Sequence, residues 1–503
     1  MSPKNTKNSK GSPGTFTTPG VYIEAVNAFP NTVVPVATAI PAFIGYTAQA
    51  EYNGKPLDRT AVEINSLNDF ITYFGAGPVI QFSLSASTLS IPLKQNPVHP
   101  VLALNGKVVA LSILQPVFYL YNSIRLFYQN GGGTCCIVSV GSYDKPPVKL
   151  DFLDGIDVLD KEQEVTMTLF PDALSLSKED YYSVACYAIA KAAVSQKRIA
   201  ITDVWGGYAA DTGEAANSVV SDFRNGIGTD NLDYCAAYYP WLETDITAAT
   251  EINFLNFPDL TSYLENNTHV TQAIAQAKSA VTAEEISNAQ NALLVVSPNY
   301  QIIINCALSV VNVLPPSPTI AGVYTNVDGT SGVWVAPANV ALTSVIAPTV
   351  KISEAEQAAF NVDVTGKSIN VIRVLAGQGV LVWGARTLAG NSNDWRYISV
   401  RRTVIFIEQS IKQAANAFVF QPNDANTWSA VKGMISNFLT QLWQQGALIG
   451  ATAADTYNVS VGVGSTMSAQ DILDGFMNIS VQVAIVHPAE FITITIQQVM
   501  QTS

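Results

Sequence analysis

The 503-residue sequence predicts a mixed α/β fold in several domains, and three observations carry that prediction. Through its first two hundred residues, short apolar runs alternate with stretches at helical spacing, the pattern of βαβ units and a partly parallel sheet. The length exceeds what one ordinary core accommodates and suggests about two to four domains. Beyond about residue 350 the pattern changes, and two long amphipathic helices dominate.

In chain order, residues 1–15 (MSPKNTKNSKGSPGT) read as a mobile polar lead without the apolar stretch of a signal peptide. Thr18-Pro19-Gly20 is a turn signal, and residues 21–26 (VYIEAV) form a short strand. Pro30, Pro35 and Pro41 hold the following segment extended, ahead of a buried strand at 42–46 (AFIGY). Residues 67–74 suit a helix stopped by Gly75. Residues 76–115 are β-rich. A helix over 118–128 closes at Asn130-Gly131-Gly132-Gly133 and leads into a strand at 135–140. Residues 165–170 and 198–203 are strands flanking a helix at 178–195. Residues 245–310 are rich in Ala, Asn and Thr, with helical stretches around 270–294. The three prolines of 314–320 suggest a rigid crossing.

Val404, Ile407, Ile411, Ala414 and Phe418 recur at helical spacing, as do Trp428, Val431, Ile435, Phe438 and Leu442. Strands follow at 457–463 and 479–486. In residues 491–500 (FITITIQQVM), Ile492, Ile494 and Ile496 alternate with polar residues, which is the period of a half-buried strand. The resulting divisions are a lead (1–15), an N-terminal arm and linker (16–35), and an outer α/β region (36–349) with insertions near 76–115 and 245–300. A C-terminal inner domain (350–490) and an arm strand (491–503) complete the chain.

Composition narrows the function. Hydrophobic residues make up 48% of the chain, while charged residues are only 13%, roughly half of average usage. A large monomer so poor in charge would have a weakly solvated surface, which suits either a membrane protein or a subunit that buries much of its surface against copies of itself. The longest apolar runs, at 108–121 and 302–314, are broken by polar residues or Pro and fall short of the roughly 20 residues that span a bilayer. Self-assembly is therefore the expectation. A net charge of −13 argues against a nucleic-acid partner. The five cysteines, Cys135, Cys136, Cys186, Cys235 and Cys306, have no metal-type spacing and read as reduced thiols.

Along most of its length the chain resembles the contractile tail sheath family of bacteriophages, phage-tail-like bacteriocins and extracellular contractile injection systems. The segments that carry the resemblance are TPGVYIEAV (18–26), AFIGYT (42–47), SLNDFITYFG (66–75) and YNSIRLFYQNGGGTCCIVSV (121–140). They continue with CAAYYPWL (235–242), PPSPTIAGVYTNVDGTSGVWVAPAN (315–339), VWGARTL (382–388) and WRYISVRRTVIFIEQSI (395–411). FVFQPND (418–424), GALIGA (446–451) and HPAEFITITI (487–496) complete the set. Their specificity lies in their order, since no one of them is decisive alone.

The resemblance implies an inner domain formed by the N- and C-terminal segments and an inserted, subtilisin-like α/β outer domain. It implies stacked rings of like subunits around an inner tube, with baseplate and tail-terminator proteins as further partners. Such particles assemble in a bacterial cytoplasm and end as a phage tail or a released contractile particle. Both chain ends would act as arms on neighbouring subunits through Val21, Tyr22, Ile23, Val26, Phe491, Ile492, Ile494 and Ile496. On the residues alone, such terminal strands pair as readily within their own subunit. A helix at 428–445 would face the tube, with Lys432, Ser436 and Gln444 as contacts. Arg386, Arg396, Arg401 and Arg402 stand out in a charge-poor chain. They are expected either to pair with carboxylates such as Glu408 or Glu490, or to be ordinary surface arginines.

No catalytic residue, cofactor or metal is expected. Neither the glycines of 130–134 nor GVGSTMSAQD (462–471) carries the lysine of a phosphate-binding loop. The three histidines, His99, His269 and His487, stand in no triad context. The competing readings are another self-assembling tube or shell protein and, further off, a subtilisin-like hydrolase.

Overall fold

The structure is a computed structural model describing residues 32–87, 97–114, 116–211 and 218–490. Its centre is a nine-stranded sheet. In chain order the strands are β1 (Pro41–Thr47), β2 (Ala61–Ile64), β3 (Cys135–Ser142), β4 (Met167–Leu169), β5 (Ile199–Asp203) and β6 (Cys235–Tyr239). β7 (Val340–Ala341), β8 (Asn370–Leu375) and β9 (Gly379–Trp383) follow. They lie side by side as β7-β9-β8-β6-β5-β4-β1-β3-β2. The six from β8 to β3 are parallel, with antiparallel strands added at both edges. Renumbered among themselves, the parallel strands run 2-1-3-4-5-6, a doubly wound order that reverses between β1 and β4.

A strand covered on both faces is apolar without alternation, and β1, PAFIGYT, is buried at every position. Its even-numbered residues Ala42, Ile44 and Tyr46 pack on one face with α3 (Lys149–Val158), α4 (Lys178–Ser195) and α5 (Val219–Gly226). Phe43 faces the other way, onto α1 (Leu67–Phe74), α2 (Leu120–Gln129) and α9 (Ser317–Ser331). The expected helices at 67–74 and 178–195 are found with those bounds, capped by the side chains of Ser66 and Ser177. The glycines after α2 stop it as anticipated, with Asn130 at its end and Gly131 at φ +91°.

The rigid crossing expected at 314–320 is instead the start of α9. Pro316 precedes the helix and Pro318 sits in its first turn, where a missing N–H costs nothing. The helix is held by burial: Ile320, Ala321, Val323 and Tyr324 are at most 1% exposed.

The two insertions form one accessory unit. Three antiparallel strands, Phe82–Ala86, Lys107–Ile113 and Val101–Leu104, pack on α6 (Thr268–Ser279), α7 (Ala283–Val296) and α8 (Pro298–Val311). The Phe82 and Phe257 rings stack at 5.0 Å, and Asn299 Nδ2 donates to Asn105 Oδ1 at 2.8 Å. Among the described residues no single helix is long and apolar enough to cross a membrane.

Residues 370–383, grouped from sequence with the C-terminal inner domain, hydrogen-bond into the large sheet as β8 and β9. A further core lies beyond them. It contains α11 (Ile398–Ala415), α12 (Ala425–Gln444) and an antiparallel hairpin of Tyr457–Val461 with Ile479–Val483. Val33 is buried in this core, so a segment from near the N-terminus packs with the C-terminal elements.

Candidate assembly site

α11 belongs to two cores at once. Ile398 and Ile405 pack with the sheet, whereas Val400, Phe406 and Ile407 pack with α12 and the hairpin. A helix clamped by two cores couples them as one rigid piece.

Three of the four prominent arginines are buried: Arg401 and Arg402 on this helix, and Arg386 in the segment ahead of it. Arg402 makes a bidentate ion pair with Asp328 of α9 (2.6 and 2.9 Å) and donates to the Thr38 carbonyl at 2.9 Å. Arg401 stacks on Trp395, with its guanidinium carbon 3.6 Å from the ring centroid, and pairs with Asp233. The partner proposed from sequence, Glu408, stays outside that pair. Burial raises its carboxyl above the usual range, and the charge of Arg401 only partly offsets this. Arg386 pairs with Glu490, one of the two carboxylates suggested from sequence, which decides between the two alternatives for this arginine. Only Arg396 behaves as an ordinary surface arginine, bonding Ser392 and Asn393.

Between α11 and the hairpin runs an open groove of about 540 Å³. Val404, Ile407 and Ile411 line one side, and Ile479, Val481 and Val483 line the other. Ile479–Val483 alternates half-buried and exposed residues and, among the described residues, pairs on one side only. Among the described residues its other edge thus presents unpaired backbone donors and acceptors beside an apolar floor, the combination that accepts an added strand.

α12 has the expected apolar side: Val431, Ile435, Phe438 and Leu442 are buried, joined by Met434 and Leu439. Asp424 caps its N-terminus, and Trp428 Nε1 donates to Asn423 Oδ1 at 2.7 Å. Lys432 and Gln444 are exposed, and Ser436 is half-buried. Lys432 and Ser436 are neighbours at i,i+4, whereas Gln444 stands about a third of a turn round from Lys432. Ser429, Asn437 and Gln441 are also exposed, so the outward surface is neutral and polar apart from one lysine. The anticipated arm residues Val21, Tyr22, Ile23, Val26, Phe491, Ile492, Ile494 and Ile496 lie outside the described residues.

Doubly wound sheets take ligands where the strand order reverses, beyond the carboxyl ends of the strands. Here that position holds Asp172, fully buried, which accepts from the backbone N–H groups of Tyr46, Tyr119 and Leu120 at 2.5–2.8 Å. Asp203, at the end of β5, accepts from the Ser317 N–H and hydroxyl at 2.7 and 2.6 Å. Burial pushes both carboxyls up to about 7 against the donors they accept. Each aspartate thus caps a helix, α2 or α9. Nearby, a small hollow of about 200 Å³ is lined by His99, Trp205, Tyr208 and Trp241 among others. Among the described residues no group of three or more His, Cys, Asp or Glu side chains is placed to hold a metal. The five cysteines are free thiols.

Asp233, Asp328 and Asn370 matter to this site and were not singled out in the sequence. Their partners lie 168, 74 and 16 residues away, and only the scarcity of charge hinted that each arginine needed a carboxylate.

Residues 391–499 match the sequence profile of the phage tail sheath C-terminal domain. The fold is similar over nearly its whole length to the sheath of the PVC extracellular contractile injection system in its contracted state. Identity there is 26%, with 96% of this chain and 98% of that one covered, and the TM-score is 0.59. It is equally similar to the contracted helical sheath of the anti-feeding prophage, at 28% identity, 96% and 100% coverage and a TM-score of 0.59. No curated protein sequence matches the chain significantly.

Proposed function

We propose, from its likeness to contractile sheaths, that this chain polymerises into a helical sheath around an inner tube and drives that tube by contracting. The observation that carries the reading is whole-length likeness to sheaths solved in the contracted state, together with the match over the C-terminal domain. The chain is a mechanical part and catalyses nothing. Its assembly takes place in a bacterial cytoplasm, with baseplate and terminator proteins closing the two ends, before the particle acts outside.

The groove beside Ile479–Val483 is the acceptor in this scheme. Residues 491–499 of a second copy, apolar at every other position through 492–496, add a strand to the free hairpin edge and lay their isoleucines on the groove floor. The N-terminal 21–26 strand joins the same exchange. The neutral outward side of α12, with Lys432, Ser436 and Gln444, faces the tube. Such a surface grips weakly, as a tube that must slide requires. Contraction draws on burial gained between subunits. Even about 1 kcal/mol per subunit, summed over a long polymer, exceeds what one bound ligand supplies.

Negative-stain microscopy of the purified chain tests the reading. Wide helical tubes are expected from the full chain, and folded but dispersed subunits from chains lacking 1–27 or 491–503. A full chain that stays dispersed at high concentration overturns the sheath reading, whereas tubes of normal yield from either truncation overturn the arm exchange.

A further inference from the structure

Glu490 is the last described residue before the C-terminal segment, and it is held far more firmly than a chain end requires. Its Oε1 accepts from Arg386 Nε at 3.0 Å and Asn361 Nδ2 at 2.8 Å. Its Oε2 accepts from Arg386 Nη2 at 2.6 Å and the Tyr397 hydroxyl at 3.1 Å. Arg386 is itself fixed. Its side chain is 3% exposed, its Nη1 donates to the Asn361 carbonyl at 3.0 Å, and its backbone N–H and carbonyl both bond the buried Asn370 side chain of β8. A continuous path therefore runs from the central sheet through Asn370 and Arg386 to Glu490. α10 (Glu354–Asn361) and the start of α11 brace it on either side.

Burial alone raises the Glu490 carboxyl, but the bonds from Arg386 and Asn361 outweigh it and hold the group below its usual range. Just upstream, the chain is tied by backbone bonds, Ala484 N–H to Thr456, Ile449 N–H to Ala484 and Val486 N–H to Ala447, and by burial of Ile485, with no charged side chain among these ties.

We infer that Arg386 is a positioning residue for the C-terminal arm: by gripping Glu490 it fixes the chain immediately before residues 491–503 and carries load from a neighbouring subunit directly into the central sheet. The load-bearing half rests on the sheath reading, while the grip does not. Without the grip, tension on the arm would first peel residues 484–490 from their bonds to Thr456, Ile449 and Ala447. The pull would then be taken up as slack and would not move the body.

Two measurements on the full-length chain separate the possibilities. The variants are Glu490→Gln, which keeps shape and removes the charge, and Arg386→Lys, which keeps the charge and loses the forked donors. Hydrogen exchange on dispersed protein reads the grip alone. In both variants the amides of 484–490 are expected to exchange roughly tenfold faster, the factor for one lost charge-assisted bond, with 479–483 unchanged. Unchanged exchange, or full protection in Arg386→Lys, overturns the grip. Microscopy of polymers after a contraction trigger reads the load path: both variants should assemble and leave a larger fraction of particles partly contracted. Uniform, complete contraction by both overturns the load role. A wild-type chain that forms no polymer overturns the sheath reading and with it the load role, while the exchange result still decides the grip.

Discussion

Replacing Arg402 by methionine removes a charge that joins three parts of the molecule. Its guanidinium pairs with Asp328, caps the Thr38 carbonyl and lies 4.7 Å from the centre of the Tyr324 ring. The side chains of Arg402 and Asp328 are 4% and 3% exposed, so the pair is out of water. Methionine fills much of the volume but leaves Asp328 a buried, uncompensated carboxylate, a defect that costs about 3–5 kcal/mol. The lost contact with Tyr324 adds about 0.5–2 kcal/mol. Replacing both partners, Arg402→Met with Asp328→Leu, removes the stranded charge as well. The double variant should therefore recover more than half of the single variant's loss. Urea unfolding followed by tryptophan fluorescence measures both. A single variant within about 1 kcal/mol of wild type, or a double variant whose loss is the sum of the two singles, refutes the reasoning, because either result means Asp328 is solvated.

The groove predicts that Val481→Asp abolishes polymerisation seen by microscopy while leaving the circular dichroism of the subunit unchanged; normal tubes would show that the groove accepts nothing. For Lys432→Glu, subunit stability should stay within about 0.5 kcal/mol, as for an exposed helix position, while co-sedimentation with the tube protein weakens. Unchanged co-sedimentation would remove Lys432 from the tube-facing set. Asp172 and Asp203 set a pH dependence. Both carboxyls titrate near 7 in the folded chain, against about 3.9 when unfolded. The folded state thus keeps protons that the unfolded state has released, and stability falls as pH rises from about 4 to about 7. Urea midpoints at pH 5 and pH 8 read this fall, and Asp203→Asn should flatten it. A midpoint higher at pH 8 would show that the N–H donors overcome burial.

What the sequence made legible follows from how local each signal is. α4 could be bounded to the residue because Ser177 caps it and its apolar positions sit beside good helix formers. β1 could be placed because burial on both faces leaves an unbroken apolar run. α9 could not. Its prolines, glycines and β-branched residues favour other conformations, and it is a helix because α2 and the sheet enclose it. The union of 76–115 with 245–311 was invisible for a different reason: Asn105 meets Asn299 across 194 positions, and nothing in either stretch points to the other. Of the arginine partners, Glu490 could be named because few carboxylates stand near the end of the chain. Asp328 and Asp233 carry no local mark.

Mechanical behaviour follows from where the chain's rare charges are placed. The N-terminal segment is pinned to α11 through Val36 N–H on Ser410 and the Thr38 carbonyl on Arg402. The C-terminal segment is pinned at the start of the same helix, where Tyr397 precedes α11 and bonds Glu490. Both exits are therefore referenced to one helix that is itself shared between two cores. At the far side of the sheet, Asp172 and Asp203 tie strand ends to the N-termini of α2 and α9, where related folds leave a crevice. A body locked at its ligand edge and tethered through a single helix moves as a unit. Displacement of one exit then requires displacement of the other, and this coupling is what the proposed sheath contraction would demand of each subunit.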